Sequence, residues 1–331
     1  MIPQIIEKEL ENSFFTGAQW WTSKDCLVRE SGFSGFVSED SDISVTEKTF
    51  FDTASLTKAL FTLPCIYKLI QSGEISGNTP VQKILPELKP RVSIYELFSH
   101  RSGFPAWTPL YEHISETDGK SEKRFRALKC FNSLSTGKKN KLYSDINYII
   151  LGFVIESVYS ASLSEVKKEL FSSLGFKGDI RFSPEMKKND ICASTMYSEG
   201  RKRVCSCEVE DENSHILGGA AGHAGLFSSA KDTGELVNCL MKSSWFREIL
   251  EKYSGEGLDR PEGDSHFGSF NREKYSGHLG FTGTAFLMNP ENFSAAVLFT
   301  NRTHPFHEKK DWKKRIKRVR KCFFNNFFPE K

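Results

Sequence analysis

Ser55 and Lys58 have the residue types and the spacing of a serine nucleophile and its base. They stand three positions apart at the start of a predicted apolar helix that ends at Gly73, so their side chains lie one turn apart on one face. There the serine hydroxyl can attack a carbonyl carbon while a buried lysine accepts the proton. First-turn amides of a helix carry partial positive charge and favour a developing oxyanion. The pair therefore indicates acyl-transfer chemistry.

The spacing of this pair is not specific by itself. An alternative interpretation makes Ser55 a helix cap and Lys58 a solvated lysine. The β-prone run 43–51 leads into the pair and predicts a strand-to-helix junction at Ser55, which favours the catalytic interpretation. The same serine-to-lysine spacing recurs at Ser135 and Lys138, Ser164 and Lys167, and Ser228 and Lys231.

A second group of reactive side chains precedes another predicted helix. Tyr143, Ser144 and Asp145 come just before the apolar run 149–158. Ser144 or Asp145 has the residue type of a helix cap, so the three side chains are expected at the beginning of that helix.

A third segment is rich in glycine and opens a predicted β-hairpin over 285–300. It contains His278, Leu279 and Gly280, and a further glycine at 283. Glycines within a strand indicate close approach of another group, so Gly280 and Gly283 are predicted to let a substrate lie flat against this strand.

Together these segments resemble the serine β-lactamase and penicillin-binding-protein superfamily, specifically its class C-like group of serine hydrolases and esterases. Further blocks over 97–105 and 218–228 also look like those of this group, so the resemblance runs from about residue 50 to residue 307. The motifs S-x-x-K, Y-S-[ND] and [KH]-[TS]-G are matched in order by Ser55 and Lys58, by Tyr143, Ser144 and Asp145, and by His278, Leu279 and Gly280.

The resemblance implies an α/β (α+β) fold of the β-lactamase/transpeptidase type, with an antiparallel sheet flanked by helices. The whole chain, 1–331, is then a single domain. Its α/β part is expected from about 1–73 and 231–331, with a helical insertion over about 74–230. The pattern of the chain agrees, because strand-like runs occur near both ends and the middle is helical and rich in loops.

The resemblance also implies a covalent acyl-enzyme mechanism. Ser55 attacks a carbonyl, and Lys58 and Tyr143 share the proton, with either of them as the primary base. Asp145 orients the lysine or a substrate amide. The matched group often has Asp at this position, where many other members have Asn.

The oxyanion is expected between the backbone amides of Ser55 and Phe281, beside Gly280. His278 stands where other members use lysine, so it would supply either charge or a hydrogen bond there. A histidine titrates near neutrality, which predicts an ionisation between about pH 6 and 7 in the rate.

Leu279 is the clearest departure from the family pattern, which has Thr or Ser there to hold a substrate carboxylate. The substrate is therefore predicted to be an ester or small amide, with a D-amino-acid peptide or β-lactam-like compound as further options. Leu279 also leaves open an alternative function, in which a non-catalytic descendant keeps the pocket for binding.

Composition adds expectations about location and partners. The net charge of +3 calls for no acidic partner, and no run has signal or membrane-spanning length, so a cytoplasmic enzyme is expected. Eight scattered cysteines are predicted to be reduced structural thiols. Neither a cofactor nor a metal is expected. Cys205 and Cys207 with His215 and His223 have the residue types of zinc ligands, but two cysteines two positions apart cannot easily close one tetrahedral site. His100 and His223 are interpreted as hydrogen-bonded loop histidines.

The tail is strongly basic, with nine Lys or Arg residues among the fourteen of 308–321. Trp312, Ile316, Val319 and Phe323 fall on one helical face. The tail is therefore either a basic amphipathic helix for nucleic acid or anionic lipid, or a terminal helix that covers the sheet. The regular apolar stripe favours the second interpretation.

Overall fold

The computed structural model describes residues 3–328 except 269, 272, 307 and 309. Its central five-stranded sheet is antiparallel, has the strand order β2-β1-β10-β9-β8, and draws its strands from both ends of the sequence. In chain order, the strands are β1 (Gly17–Lys24), β2 (Leu27–Gly35), β3 (Phe51–Asp52), β4 (Arg181–Phe182), β5 (Tyr197–Ser198), β6 (Arg203–Val204), β7 (Leu226–Ser228), β8 (Ser276–Leu279), β9 (Ala285–Asn289) and β10 (Ser294–Thr300). The expected antiparallel sheet is thus confirmed.

Helices flank this sheet and fill the middle of the chain. The α-helices are α1 (Gln4–Glu11), α2 (Leu63–Ser72), α3 (Ile94–Phe98), α4 (Lys120–Ser133), α5 (Asp145–Tyr159), α6 (Leu163–Ser173), α7 (Glu212–Ile216), α8 (Ala230–Lys242), α9 (Ser244–Lys252) and α10 (Trp312–Phe327). Helix α2 ends at Gly73, whose φ of 80° is a left-handed conformation that suits glycine. The prediction of a helix that starts at Asp145 is confirmed by α5.

The middle of the chain also contains the short strands β4, β5, β6 and β7, which the helical and loop-rich pattern did not predict, whereas β3 lies at the end of the β-prone run 43–51. Strands β3, β7 and β4 form a three-stranded sheet, and β5 pairs with β6. The prediction that strands occur only near the two ends of the chain, with a helical and loop-rich middle, is therefore wrong. These strands have two or three residues each, too few for a readable alternation of apolar and polar side chains.

Cys192 and Cys207 form a disulfide, with their Cα atoms 5.4 Å apart. The prediction that all eight cysteines are reduced is therefore wrong, and Cys207 is not free to act as a zinc ligand. Cys192 pairs with Phe50 in an isolated β-bridge, and the N–H of Thr195 donates to the carbonyl of Cys205. These backbone contacts bring the segment around Cys192 next to the segment around Cys207. The spacing of the cysteines along the chain does not predict this disulfide. The cytoplasmic location remains a prediction.

The basic helix α10 covers the central sheet, which confirms the second interpretation of the tail. Its apolar face is buried with α1 and the sheet, through Ile316, Val319 and Phe323. Arg315 and Arg318 of α10 pair with the buried carboxylate of Glu9, which lies in α1. The part of the predicted tail at 309 lies outside the described residues.

None of the helices in the described part of the chain is by itself long and apolar enough to cross a membrane. Helices α5 and α6 reach that length and apolar content only when they are taken together, and they are bent by 77° relative to each other. Most of α5 is buried in the protein core.

Candidate active site

The nucleophile Ser55 follows a tight turn at the end of β3. Ala54 has a φ of 49°, a left-handed conformation that is strained for alanine. The side chain of Asp52 compensates, because its Oδ1 accepts the N–H of Ala54 at 2.8 Å. The second oxygen of Asp52 accepts the N–H of Glu210 at 2.7 Å. Asp52 therefore fixes the turn that presents Ser55, and burial raises the pKa of this carboxyl to about 7.

Lys58 begins a single wide turn of helix. A π-helix spans Lys58–Thr62, and the N–H of Leu63 donates to the Lys58 carbonyl. The following Pro64 has no N–H to continue the α-helical pattern, so the wider turn occurs where that pattern is interrupted. Such turns are frequent at functional sites.

The ammonium group of Lys58 lies at the centre of the site, with its side chain fully buried. Its Nζ is 2.9 Å from Ser55 Oγ, 2.7 Å from Asp145 Oδ1 and 3.0 Å from the carbonyl oxygen of His223. Burial alone would lower the pKa of Lys58, but the Asp145 carboxylate and Tyr143 raise it above its ordinary value. Lys58 is therefore an ammonium ion at rest. If it loses a proton, two N–H groups can still bind Asp145 and His223, which leaves the lone pair facing Ser55.

Tyr143 lies beside this lysine, with its ring centroid 5.1 Å from Lys58 Nζ. Burial of the hydroxyl raises the pKa of Tyr143 to about 12, although the Lys58 charge opposes this rise. The phenol is consequently neutral at rest. His100 packs against it, with the ring centroids 4.7 Å apart.

The two loop histidines hold the surrounding backbone. The Nδ1 of His100 accepts the N–H of Ser144 at 3.1 Å, and burial lowers the pKa of His100 to about 2. The Nε2 of His223 is 2.8 Å from an oxygen of Asp211. The prediction that both are hydrogen-bonded loop residues is confirmed, and the carbonyl of His223 additionally binds Lys58.

His278 is buried in strand β8, and its Nδ1 donates to the carbonyl of Leu279 at 3.0 Å. Burial lowers the pKa of His278, and the nearby Lys58 lowers it further, although Asp259 acts in the opposite direction. The direction of this shift favours a neutral imidazole near pH 7 and therefore the hydrogen-bonding alternative, whereas the ionisation between about pH 6 and 7 in the rate remains a prediction. Its role as a hydrogen-bonding group remains a prediction.

Gly280 and Phe281 begin the turn that joins β8 to β9. A Cβ on Gly280 would lie 1.9 Å from Thr284 Oγ1 and 2.7 Å from the Thr53 carbonyl. Gly280 is therefore required by packing within the protein, which differs from the predicted contact with a substrate. Gly283 has a φ of 112°, a backbone conformation that glycine adopts readily and other residues rarely do. The hydroxyl of Thr284 donates to the Thr53 carbonyl at 3.0 Å, which ties this turn to the nucleophile turn.

These residues meet in a cavity of about 740 Å³. Ser55, Tyr143, Asp145 and the turn from His278 to Phe281 line it, so the structure brings the three predicted segments together. Lys58 contacts Ser55 from the buried side. Exposed aromatic rings of Trp107, Tyr111 and Phe281 surround the opening, together with Trp312 of α10.

Several supporting residues of the site were not found from the sequence. Asp52, Glu210 and Arg320 belong to this group, as does the carbonyl of His223. The Asp at position 52, two residues before the strained Ala54, is the one local signal, because an aspartate often accepts a backbone N–H two residues later. The others are distant in sequence and have no local pattern.

Asp145→Asn is expected to move the rising limb of the pH profile of kcat/KM to lower pH. Asp145 raises the pKa of both Lys58 and Tyr143, so loss of its charge makes a proton easier to remove from either base. Each unit of movement gives about a tenfold larger free-base fraction below the limb. Glu185→Gln, which breaks the corresponding ion pair of Lys167 outside the cavity, is the matched control. An unmoved limb in Asp145→Asn would contradict this role.

Comparisons with known proteins show the family and the fold of this chain. A family model described as Beta-lactamase matches residues 3–320. A Salmonella agona protein that carries a D-alanyl-D-alanine carboxypeptidase name is 28% identical over 312 residues, which cover 79% of this chain and 71% of the relative. The fold is similar to that of EstCE1, a hydrolase with promiscuous acyltransferase activity (TM-score 0.73, 16% identity, 96% of each chain). It is also similar to a class C beta lactamase from Rhodobacter sphaeroides (TM-score 0.69, 16% identity, 97% of this chain and 96% of that one).

Proposed function

This chain belongs to the beta-lactamase family and is a serine hydrolase, and we propose that it forms its acyl-enzyme on Ser55. The observation that carries this proposal is the 2.9 Å contact between Lys58 Nζ and Ser55 Oγ at the wall of the cavity. The alternative of a non-catalytic binding protein has no support from this arrangement.

The proposed acylation moves one proton through two side chains. Lys58, in its minor neutral form, takes the proton from Ser55 as the oxygen attacks the substrate carbonyl carbon. When the bond to the leaving group breaks, Tyr143 gives that group its phenolic proton and recovers one from the Lys58 ammonium. Deacylation repeats the sequence with water in place of Ser55, which restores the enzyme.

The tetrahedral oxyanion is proposed to bind the amides of Ser55 and Phe281. The Ser55 amide lies at the beginning of the helical segment, where N–H groups have no intrahelical acceptor. The Phe281 amide belongs to the turn between β8 and β9, which contacts the nucleophile turn through Thr284 and Thr53. Two such donors stabilise the charge that develops in the transition state.

The substrate is proposed to be an uncharged ester or small amide. The relatives' carboxypeptidase name points to peptides with a terminal carboxylate, whereas Leu279 places an apolar side chain in the cavity where the family has a hydroxyl. The aromatic opening offers apolar surface to an acyl group.

A fluorophosphonate probe tests the mechanism directly. The native protein should gain the mass of one phosphonyl group, located on the peptide that contains Ser55. Hydrolysis of a panel of esters, penicillins and D-Ala-terminated peptides then gives the substrate class. A native, folded protein that is neither labelled nor active on any of them would overturn the proposal.

Leu279→Thr is expected to raise kcat/KM for a penicillin about ten- to hundredfold and to change that for a neutral p-nitrophenyl ester little. The new hydroxyl would donate to the penicillin carboxylate, and a hydrogen bond to a charged group contributes about 1.5–3 kcal/mol. Leu279→Val is the control, because it reduces side-chain size without a donor. Equal changes for both substrates would instead assign acid recognition to another group such as Arg302, which also lines the cavity.

A further inference from the structure

Arg320 of helix α10 lines the cavity and contacts the turn that joins β8 to β9, called the catalytic turn below. Its side chain is buried, with 4% of the residue exposed. Its Nη2 donates to the carbonyl of Gly280 at 2.7 Å and to that of Thr284 at 2.9 Å. Moving a cation out of water costs free energy, so a buried guanidinium group needs hydrogen-bond partners that offset this cost.

The carbonyl that Arg320 binds belongs to the peptide whose N–H is that of Phe281. In a trans peptide the C=O and N–H point in opposite directions. A hydrogen bond that fixes the Gly280 oxygen toward α10 therefore directs the Phe281 N–H away from α10. Gly280 O also accepts the N–H of Gly283 at 3.2 Å, so this peptide plane is held on its carbonyl side by two donors.

We propose that Arg320 is a positioning residue of the oxyanion hole, which orients and polarises the Gly280–Phe281 peptide. This inference rests on the proposed acyl-enzyme function. A cationic donor on a carbonyl strengthens the hydrogen bond that the N–H of the same peptide makes, because linked hydrogen bonds polarise one another. This hydrogen bond becomes stronger as the substrate oxygen gains negative charge. It therefore stabilises the transition state more than the bound substrate.

Four other cations of α10 pair with carboxylates instead. Arg315 and Arg318 pair with Glu9, whereas Lys317 and Lys321 pair with Asp264. Those four side chains hold the helix to its neighbours. Arg320 instead binds two carbonyls of the catalytic turn through its Nη2 atom, and its Nη1 lies 3.3 Å from His266 Nδ1.

The test compares Arg320→Met with Arg315→Met, a matched change on the same helix outside the cavity. In each variant, kcat and KM are measured on a neutral ester, together with the Ki of a boronic acid, whose adduct with Ser55 mimics the tetrahedral intermediate. Arg320→Met should lower kcat about ten- to hundredfold, change KM less than about threefold and weaken the boronic acid by a similar factor to kcat. Arg315→Met should lower thermal stability but keep kcat and Ki within about twofold.

Wild-type kcat and Ki in a folded Arg320→Met protein would overturn the inference, as would equal losses in Arg315→Met. If Arg320→Met does not fold, Arg320→Lys decides between the same two outcomes, because its shorter side chain retains the charge and moves the donor away from the Gly280 carbonyl. An unlabelled, inactive native protein would instead mean that the proposed function itself fails.

Discussion

Replacing Ser55 with alanine is expected to lower ester hydrolysis by about 10³-fold or more and to abolish fluorophosphonate labelling. The variant lacks the oxygen that attacks the carbonyl, so no acyl-enzyme can form. The free energy of unfolding should fall by no more than about 1.5–3 kcal/mol, the contribution of a hydrogen bond to a charged group, because the lost hydroxyl contacts the Lys58 ammonium and Tyr143. Intact-protein mass spectrometry and steady-state rates measure the two effects.

The chain supplies a matched control for this substitution. Ser164 has the same spacing to Lys167, but that lysine binds the Ile180 carbonyl and the Glu185 carboxylate instead of the serine. Ser164→Ala should therefore keep full labelling and turnover. Retained turnover in Ser55→Ala would place the nucleophile elsewhere and end the proposed mechanism.

Lys58→Ala is expected to slow acylation about 10²- to 10⁴-fold with every substrate. It removes the group that contacts Ser55 and leaves the partly buried Asp145 carboxylate without its cation. Tyr143→Phe should behave differently, because the proposed role of Tyr143 is to protonate the leaving group. Its loss should be large for alkyl esters, whose leaving groups need a proton, and small for p-nitrophenyl esters.

Single-turnover rates on matched alkyl and p-nitrophenyl esters separate these roles. A Lys58→Ala enzyme with normal acylation would exclude Lys58 as the proton acceptor. Equal losses on both esters in Tyr143→Phe, with only a small loss in Lys58→Ala, would make Tyr143 the primary base. The pH profile of Asp145→Asn does not distinguish the two, because Asp145 raises the pKa of both groups.

The parts of the site that depend on local sequence were predicted correctly. The helix that begins at Asp145 and the helix that ends at Gly73 follow from apolar periodicity and end signals, and the structure contains both. The order of three motifs was enough to expect that Ser55, Tyr143 and His278 line one cavity.

The remaining features depend on contacts between distant segments. The pKa of His278 is lowered by its burial and by Lys58, neither of which its neighbours in sequence reveal. The disulfide joins segments whose approach is set by the bridge at Phe50. Arg320 follows Val319 in a strongly basic run, so its type suggests the solvated face of α10, whereas its guanidinium is buried against the catalytic turn.

The central sheet has a consequence for how the enzyme reaches its active state. The N–H of Gly17 donates to Asn301 Oδ1, across 284 positions of sequence, and β1 pairs with β10 beside it. Closing so long a loop is slow compared with forming the helices between, which depend on near neighbours. A nascent chain can thus hold Ser55 and Lys58 on their own helical turn while the turn at Phe281 is still unattached. Reactivity toward esters should consequently appear only with the late, long-range step of folding.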